Sequence, residues 1–163
     1  MILIPNILTL MNLLCGGAAI LLAREGDWTR ACFLILGSVF FDTADGWAAR
    51  RLGRVSRFGG FFDSVADFVS FGLAPVFIFH AVVGNLGLSA VFGFIFYVLA
   101  SAFRLLRFHS EGQSTDSGKF YGLPTTASAL IFVSSVWLAP SPWTLWILSL
   151  LMISRIPFAR LFN

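Results

Sequence analysis

Six apolar runs follow one another along this chain, and they leave it few ways to fold. They cover residues 4–23, about 28–49, about 58–83, about 86–108, about 123–138 and about 143–158. A helix needs about 20 apolar residues to cross a bilayer, so each run reads as a candidate span. The fifth and sixth are parted by Ala139, Pro140, Ser141 and Pro142, and the two prolines end any helix there. The runs are continuous rather than alternating, which predicts helices and not the strands of a membrane barrel. Only 12% of the 163 residues are charged and 58% are hydrophobic. A soluble domain has about 25% charged residues, so this chain lacks the polar side chains to cover a water-facing surface. Hydrophobicity and Gly/Pro content exclude disorder, coiled coil and collagen, and two cysteines, Cys15 and Cys32, cannot make a disulfide scaffold. The expectation is an all-α integral membrane protein: one domain over residues 1–163, a six-transmembrane-helix bundle.

The basic residues predict its orientation. Between the first two runs, Arg24 and Arg30 are balanced by Glu25 and Asp27. The next connection carries Arg50, Arg51, Arg54 and Arg57 with no acid. Arg104, Arg107 and Lys119 mark the fourth connection, and Arg155 and Arg160 the tail. By the positive-inside rule these last three groups are cytoplasmic, which puts both termini in the cytoplasm. The first run starts without a basic segment and is too long for a signal-peptide core, so it reads as a span. The expected location is the cytoplasmic or inner membrane, with the basic face towards anionic lipid headgroups; the net charge of +3 implies no nucleic acid.

Four of the eight acids stand where they cost most. Asp42 and Asp45 lie in the second run, Asp63 and Asp67 in the third. A carboxylate at the centre of a membrane helix costs about 2.5–3.5 kcal/mol on insertion scales, and less towards an end. Spacings of three and four put each pair on one helix face. The connection between the two helices is short, so they are expected to be antiparallel neighbours with the four carboxylates converging. Like charges so close need a compensating cation, and Mg²⁺ and Mn²⁺ favour carboxylate oxygens. Small residues accompany them: Gly46 and Ala49 after Asp45, and Gly59 one turn before Asp63. They leave room for a flat group or for close helix packing. Arg50 ends the second run where it can meet phosphate oxygens.

The segment Asp42-x-x-Asp45-Gly46-x-x-Ala49-Arg50, eight residues, Gly59-x-x-x-Asp63-x-x-x-Asp67 resembles the signature of the CDP-alcohol phosphatidyltransferase family. The resemblance implies displacement of CMP from a CDP-linked lipid by an alcohol hydroxyl. It implies that Asp42, Asp45 and Asp63 bind divalent metal, Mg²⁺ or Mn²⁺ and two ions. Asp67 would be a further ligand or the catalytic base, and Gly46, Ala49 and Gly59 would line the CMP pocket. Members of the family are often homodimers, and the same is expected here.

Further stretches are similar to the phosphatidylserine synthase branch of that family: residues 4–16, 63–75, 103–108, 121–126 and 152–155. His109 and Thr126 depart from it, where Asn and Pro are usual. The branch implies L-serine as the acceptor, on a CDP-diacylglycerol or its archaeal counterpart. Arg104 and Arg107, three apart, are suited to the serine carboxylate. They suit glycerol 3-phosphate or an inositol phosphate as well, so charge alone leaves the acceptor open. Asn6, Thr9 and Asn12 form a polar stripe on the first run, either contacting nucleotide and metal or bonding between helices. Residues 118–124 form a candidate lid. A divalent-cation transporter is the competing class, and its weakness is that the outer half of the bundle offers a cation no polar residues.

Overall fold

The computed structural model describes residues 3–52, 57–84, 87–111, 120–121, 123–138, 140–154 and 157–158. It is helical almost throughout and divides into two compact units, Met1–Asn85 and Leu86–Asn163. The first holds α1 (Leu3–Arg24), α2 (Trp28–Leu52), α3 (Arg57–Asp67), a π-helical turn (Phe68–Leu73) and α4 (Ala74–Val83). The second holds α5 (Leu88–Glu111), β1 (Phe120–Tyr121), α6 (Thr125–Leu138), α7 (Pro142–Ile153) and β2 (Pro157–Phe158).

The buried positions of α1 are Thr9, Asn12, Gly16, Ala19 and Ala23, spaced alternately by three and four. That spacing makes one straight seam along a helix, and every residue in it is small or polar. Small side chains let membrane helices approach closely, which is where their packing energy comes from. α1 lies along α2 and also packs on α3, the π-helical turn and α4. α2 and α3 approach each other closely at few points, so the aspartate-bearing helices are joined mainly through α1. The α1–α2 connection is tight for local reasons. Gly26, at φ 86°, takes the left-handed conformation that ends α1, and its N–H reaches the Ala23 carbonyl at 3.0 Å. Asp27 then caps α2: its Oδ1 accepts the Arg30 N–H at 3.1 Å.

The third apolar run is one continuous helix over Gly59–Val83 in length and hydropathy, but not in winding. After Asp67 it opens into the π-helical turn, closed by the Ala74 N–H bonding the Val69 carbonyl. Pro75 gives the reason. It has no N–H for the carbonyl four residues back, and its ring would press on that carbonyl. The wider turn relieves both. Ser70 and Gly72 inside it are buried, and Ser70 lies against Gly16.

In the second unit α5 buries Ala90, Gly93, Tyr97, Ala100, Ser101 and Leu105. Gly93 is where Trp146 of α7 comes down, so close that a Cβ would stand 3.0 Å from its Nε1. Trp146 also stacks on Phe96, centroids 5.5 Å apart. Tyr97, wholly buried, pairs its hydroxyl with Ser128 of α6 at 3.2 Å.

Six apolar helices are therefore present among the described residues, as expected, but they are of two kinds. Four are long and apolar enough to cross a membrane: Ile4–Arg24, Trp28–Ala49, Gly59–Val83 and Leu88–Arg107. α6 and α7 have 14 and 12 residues. At about 1.5 Å per residue they fall short of a hydrocarbon core of about 30 Å. The expected sixth run to residue 158 is corrected here. α7 stops at Ile153, Ser154 turns to an extended conformation at ψ 151°, and Pro157–Phe158 pairs antiparallel with Phe120–Tyr121. Pro157 cannot donate in a helix, which favours the exit. The paired strand also occupies part of the expected lid, whose residues 118, 119 and 122 lie outside the described residues, as do Arg54, Arg155 and Arg160. Large apolar side chains such as Phe33, Phe40, Leu99 and Leu106 stand exposed along the long helices, as a lipid-facing surface requires.

Gly16 and Gly17 give a direct test of the α1 seam. A Cβ at Gly16 would overlap the Ser70 side chain and stand 2.7 Å from its Cα, whereas Gly17 has open space. Gly16→Ala is expected to lower stability by about 1–3 kcal/mol and Gly17→Ala to leave it unchanged or raised, read from thermal unfolding in detergent.

Candidate active site

The carboxylate group lies in the first unit, on α2 and α3, with α1 against both. Asp42, Asp63 and Asp67 each bring one carboxylate oxygen to within 4.8 Å of the others. The i, i+4 spacing on α3 aligns Asp63 and Asp67, and Asp42 meets them from α2. All three are half-buried. Asp63 Oδ1 is shielded from solvent and has no hydrogen-bond partner among the described residues. A buried carboxylate oxygen left unmatched is expensive, and three such groups together are self-repelling. Hard divalent cations take carboxylate oxygens in this way, so the donor set fits one.

Asp45 is placed differently. It is buried, and its Oδ2 accepts the Thr9 hydroxyl from α1 at 2.8 Å. It lies on the helix face of Asp42 but is not one of the three grouped carboxylates. The Thr9 hydroxyl is also 3.0 Å from the Pro5 carbonyl and has a single proton to share between the two. Asn12 donates through Nδ2 to Asp67 Oδ1 at 3.1 Å. The polar stripe of α1 thus faces the carboxylates, with Thr9 and Asn12 each holding one and Asn6 half-buried a turn earlier.

Gly46, Ala49 and Gly59 are half-buried beside these groups in sequence, on the cluster-bearing helices. Arg50 continues α2, but its side chain lies outside the described residues, as does that of His109 on α5. At the end of α2, the Arg51 guanidinium lies over the exposed Trp47 ring, 4.9 Å from its centroid. Arg104 and Arg107 belong to α5 in the second unit, both half-buried, and Arg104 Nη1 donates to Thr125 Oγ1 at 3.0 Å.

Sequence reasoning missed Ser38 and Ser70. Both donate to the backbone carbonyl of Asn12, at 3.2 and 3.0 Å, and so tie α2 and the π-helical turn to α1 at the level of Asp67. The available signal was a serine on a buried helix face, which is common and points to no particular partner.

Carboxylates shared by two membrane helices and braced by polar residues of a third mark a functional site, and this donor set could hold a metal ion. Residues 2–158 match the CDP-alcohol phosphatidyltransferase family, and the chain belongs to it. The chain is 36% identical over 135 residues to the CDP-diacylglycerol–serine O-phosphatidyltransferase of Helicobacter pylori strain J99, covering 82% of this chain and 57% of that protein. To the archaetidylserine synthase of Methanothermobacter thermautotrophicus it is 36% identical over 167 residues, covering 96% of this chain and 70% of that one. To the CDP-diacylglycerol–serine O-phosphatidyltransferase of Bacillus subtilis strain 168 it is 31% identical, covering 95% and 89%. The chain therefore spans little more than half the length of the Helicobacter relative and most of the Bacillus one.

Thr9→Val keeps the shape of the side chain and removes the proton bonded to Asp45. It is expected to destabilise by about 1–3 kcal/mol, the scale for a hydrogen bond to a buried charged group. Thr9→Ser is expected to stay near wild type, both read from thermal unfolding in detergent.

Proposed function

We propose that this chain transfers a phosphatidyl group from a CDP-linked lipid, CDP-diacylglycerol or its archaeal ether counterpart, to the hydroxyl of L-serine, releasing CMP. The observation that carries the reaction is the three-carboxylate group of Asp42, Asp63 and Asp67, standing in the family's signature with an unmatched buried oxygen on Asp63. The serine assignment is supported by the names of the relatives, which act on serine or make archaetidylserine.

In this reading Asp42, Asp45, Asp63 and Asp67 hold two divalent ions, Mg²⁺ or Mn²⁺. When bound, such ions neutralise the diphosphate and stabilise the departing CMP. Asp67 accepts the proton of the serine hydroxyl as its oxygen attacks the phosphorus that carries the lipid. A new P–O bond to serine forms, and the P–O bond to CMP breaks with its electron pair leaving on CMP. Gly46, Ala49 and Gly59 leave space for the nucleotide, Asn6 and Thr9 line it from α1, and Arg50 meets the diphosphate. Arg104 and Arg107 bind the serine carboxylate. The site opens to the cytoplasm at the membrane surface, because one substrate is a lipid and the other is water-soluble. The Trp47–Arg51 pair suits that interface, where aromatic rings and cations anchor helices. Both termini are cytoplasmic, and the working form is a homodimer.

Purified protein supplied with CDP-lipid and Mn²⁺ is expected to release CMP with serine above its rate with glycerol 3-phosphate or an inositol phosphate. Faster release with either of the others would reassign the acceptor. Asp67→Asn is expected to cut turnover by at least 100-fold, about 2.7 kcal/mol, while CDP-lipid binding stays within a few-fold of wild type. Equal loss of binding would make Asp67 chiefly a metal ligand.

A further inference from the structure

Asn12 is fully buried as the second position of the α1 seam, where the positions further along are Gly16, Ala19 and Ala23. It bonds to three other segments. Its Nδ2 donates to Asp67 Oδ1 on α3, and its backbone carbonyl accepts Ser38 from α2 and Ser70 from the π-helical turn. Its own Oδ1 is shielded and has no hydrogen-bond partner among the described residues. A seam residue needed only for packing would be cheaper as alanine, since a buried amide oxygen without a partner is penalised. The two serine bonds go to the main chain and would survive that change. What alanine would lose is the single bond to Asp67.

We infer that Asn12 is a positioning residue: its side-chain amide holds one oxygen of Asp67 and sets the plane of that carboxylate towards Asp42 and Asp63. The terminal torsion of an aspartate is broad, so an unheld carboxylate turns freely. A group that must present oxygens to a cation or to a hydroxyl proton gains from an outside donor that stops this turning. The donor here is neutral, so it directs the carboxylate without competing with a cation, as Lys or Arg would. The inference rests on reading the three carboxylates as a cation site and requires no particular acceptor.

The test is Mn²⁺ binding to purified protein in detergent, without CDP-lipid, followed by electron paramagnetic resonance of the free ion. Asn12→Leu and Asn12→Ala are expected to weaken binding by about tenfold or more. Ser38→Ala and Ser70→Ala are expected to lower the unfolding temperature but to keep Mn²⁺ affinity within twofold. Because Asn12 acts through Asp67, Asn12→Leu is expected to cause no further loss in the Asp67→Asn background. Affinity within twofold of wild type in both Asn12 variants would overturn the inference. So would an equal loss in the Ser70→Ala protein, an additive loss in the Asp67→Asn background, or failure of both Asn12 variants to fold. Absence of Mn²⁺ binding in the wild type would remove the cation reading and the inference together. CMP release by the wild type is scored separately: its absence with Mn²⁺ results as expected sinks the proposed reaction and supports the role of Asn12.

Discussion

Close approach of α1 to its neighbours is the constraint on which the first unit depends. The Gly16 site leaves no room for a methyl group, and Ser70 occupies the space that a side chain would take. Only at that separation can the Asn12 carbonyl take hydroxyls from two other segments while its amide reaches Asp67. In a bilayer there is little hydrophobic gain from bringing helices together, so small residues and polar contacts must supply the association. The seam does both: its lower half is Gly and Ala, and its upper half is Thr and Asn.

The division also explains how acidic residues are tolerated within apolar helices. Asp45 is satisfied by Thr9 and Asp67 by Asn12, both donors belonging to α1. The helix with no acid of its own therefore carries part of the electrostatic cost of the two that have them. Asp63 Oδ1 is left without such a donor. An unmatched acceptor at the point where three carboxylates meet supports the proposed cation site over a purely structural polar network, in which each group would find a partner.

Much of this was legible from the chain itself. Run length and scarce charge gave the helical membrane class, and the i, i+3 and i, i+4 aspartates gave the grouping on helix faces. The polar stripe of Asn6, Thr9 and Asn12 was visible too, with both of its readings open; the structure shows bonds between helices for the last two. Two things were hidden. Convergence was expected from direct pairing of the second and third runs, whereas it comes mainly from α1 packing on both. Periodicity describes each helix alone and says nothing about which third helix lies between two others. The other was the π-helical turn: a proline in an apolar run, here Pro75, can be answered by a kink, a break or a wider turn, and the choice depends on what packs around it. Likewise the sixth run looked helical to residue 158 because strand pairing with Phe120–Tyr121 is a non-local contact.

The wider turn after Asp67 has a consequence for how this helix can vary. Each residue of an α-helix advances the side chains by about 100°. A π-helical turn accommodates one residue more than the α-helical pitch allows, so it works as a phase shifter between the two halves of one rod. α3 aims its carboxylates by one angular setting and α4 docks its Ile78–Phe79 side by another, and the two settings need not agree. A helix of uniform pitch would have to compromise between aiming and docking. Here insertion or loss of a single residue within Phe68–Leu73 would retime one half against the other, turning the acids of α3 relative to the docked side of α4.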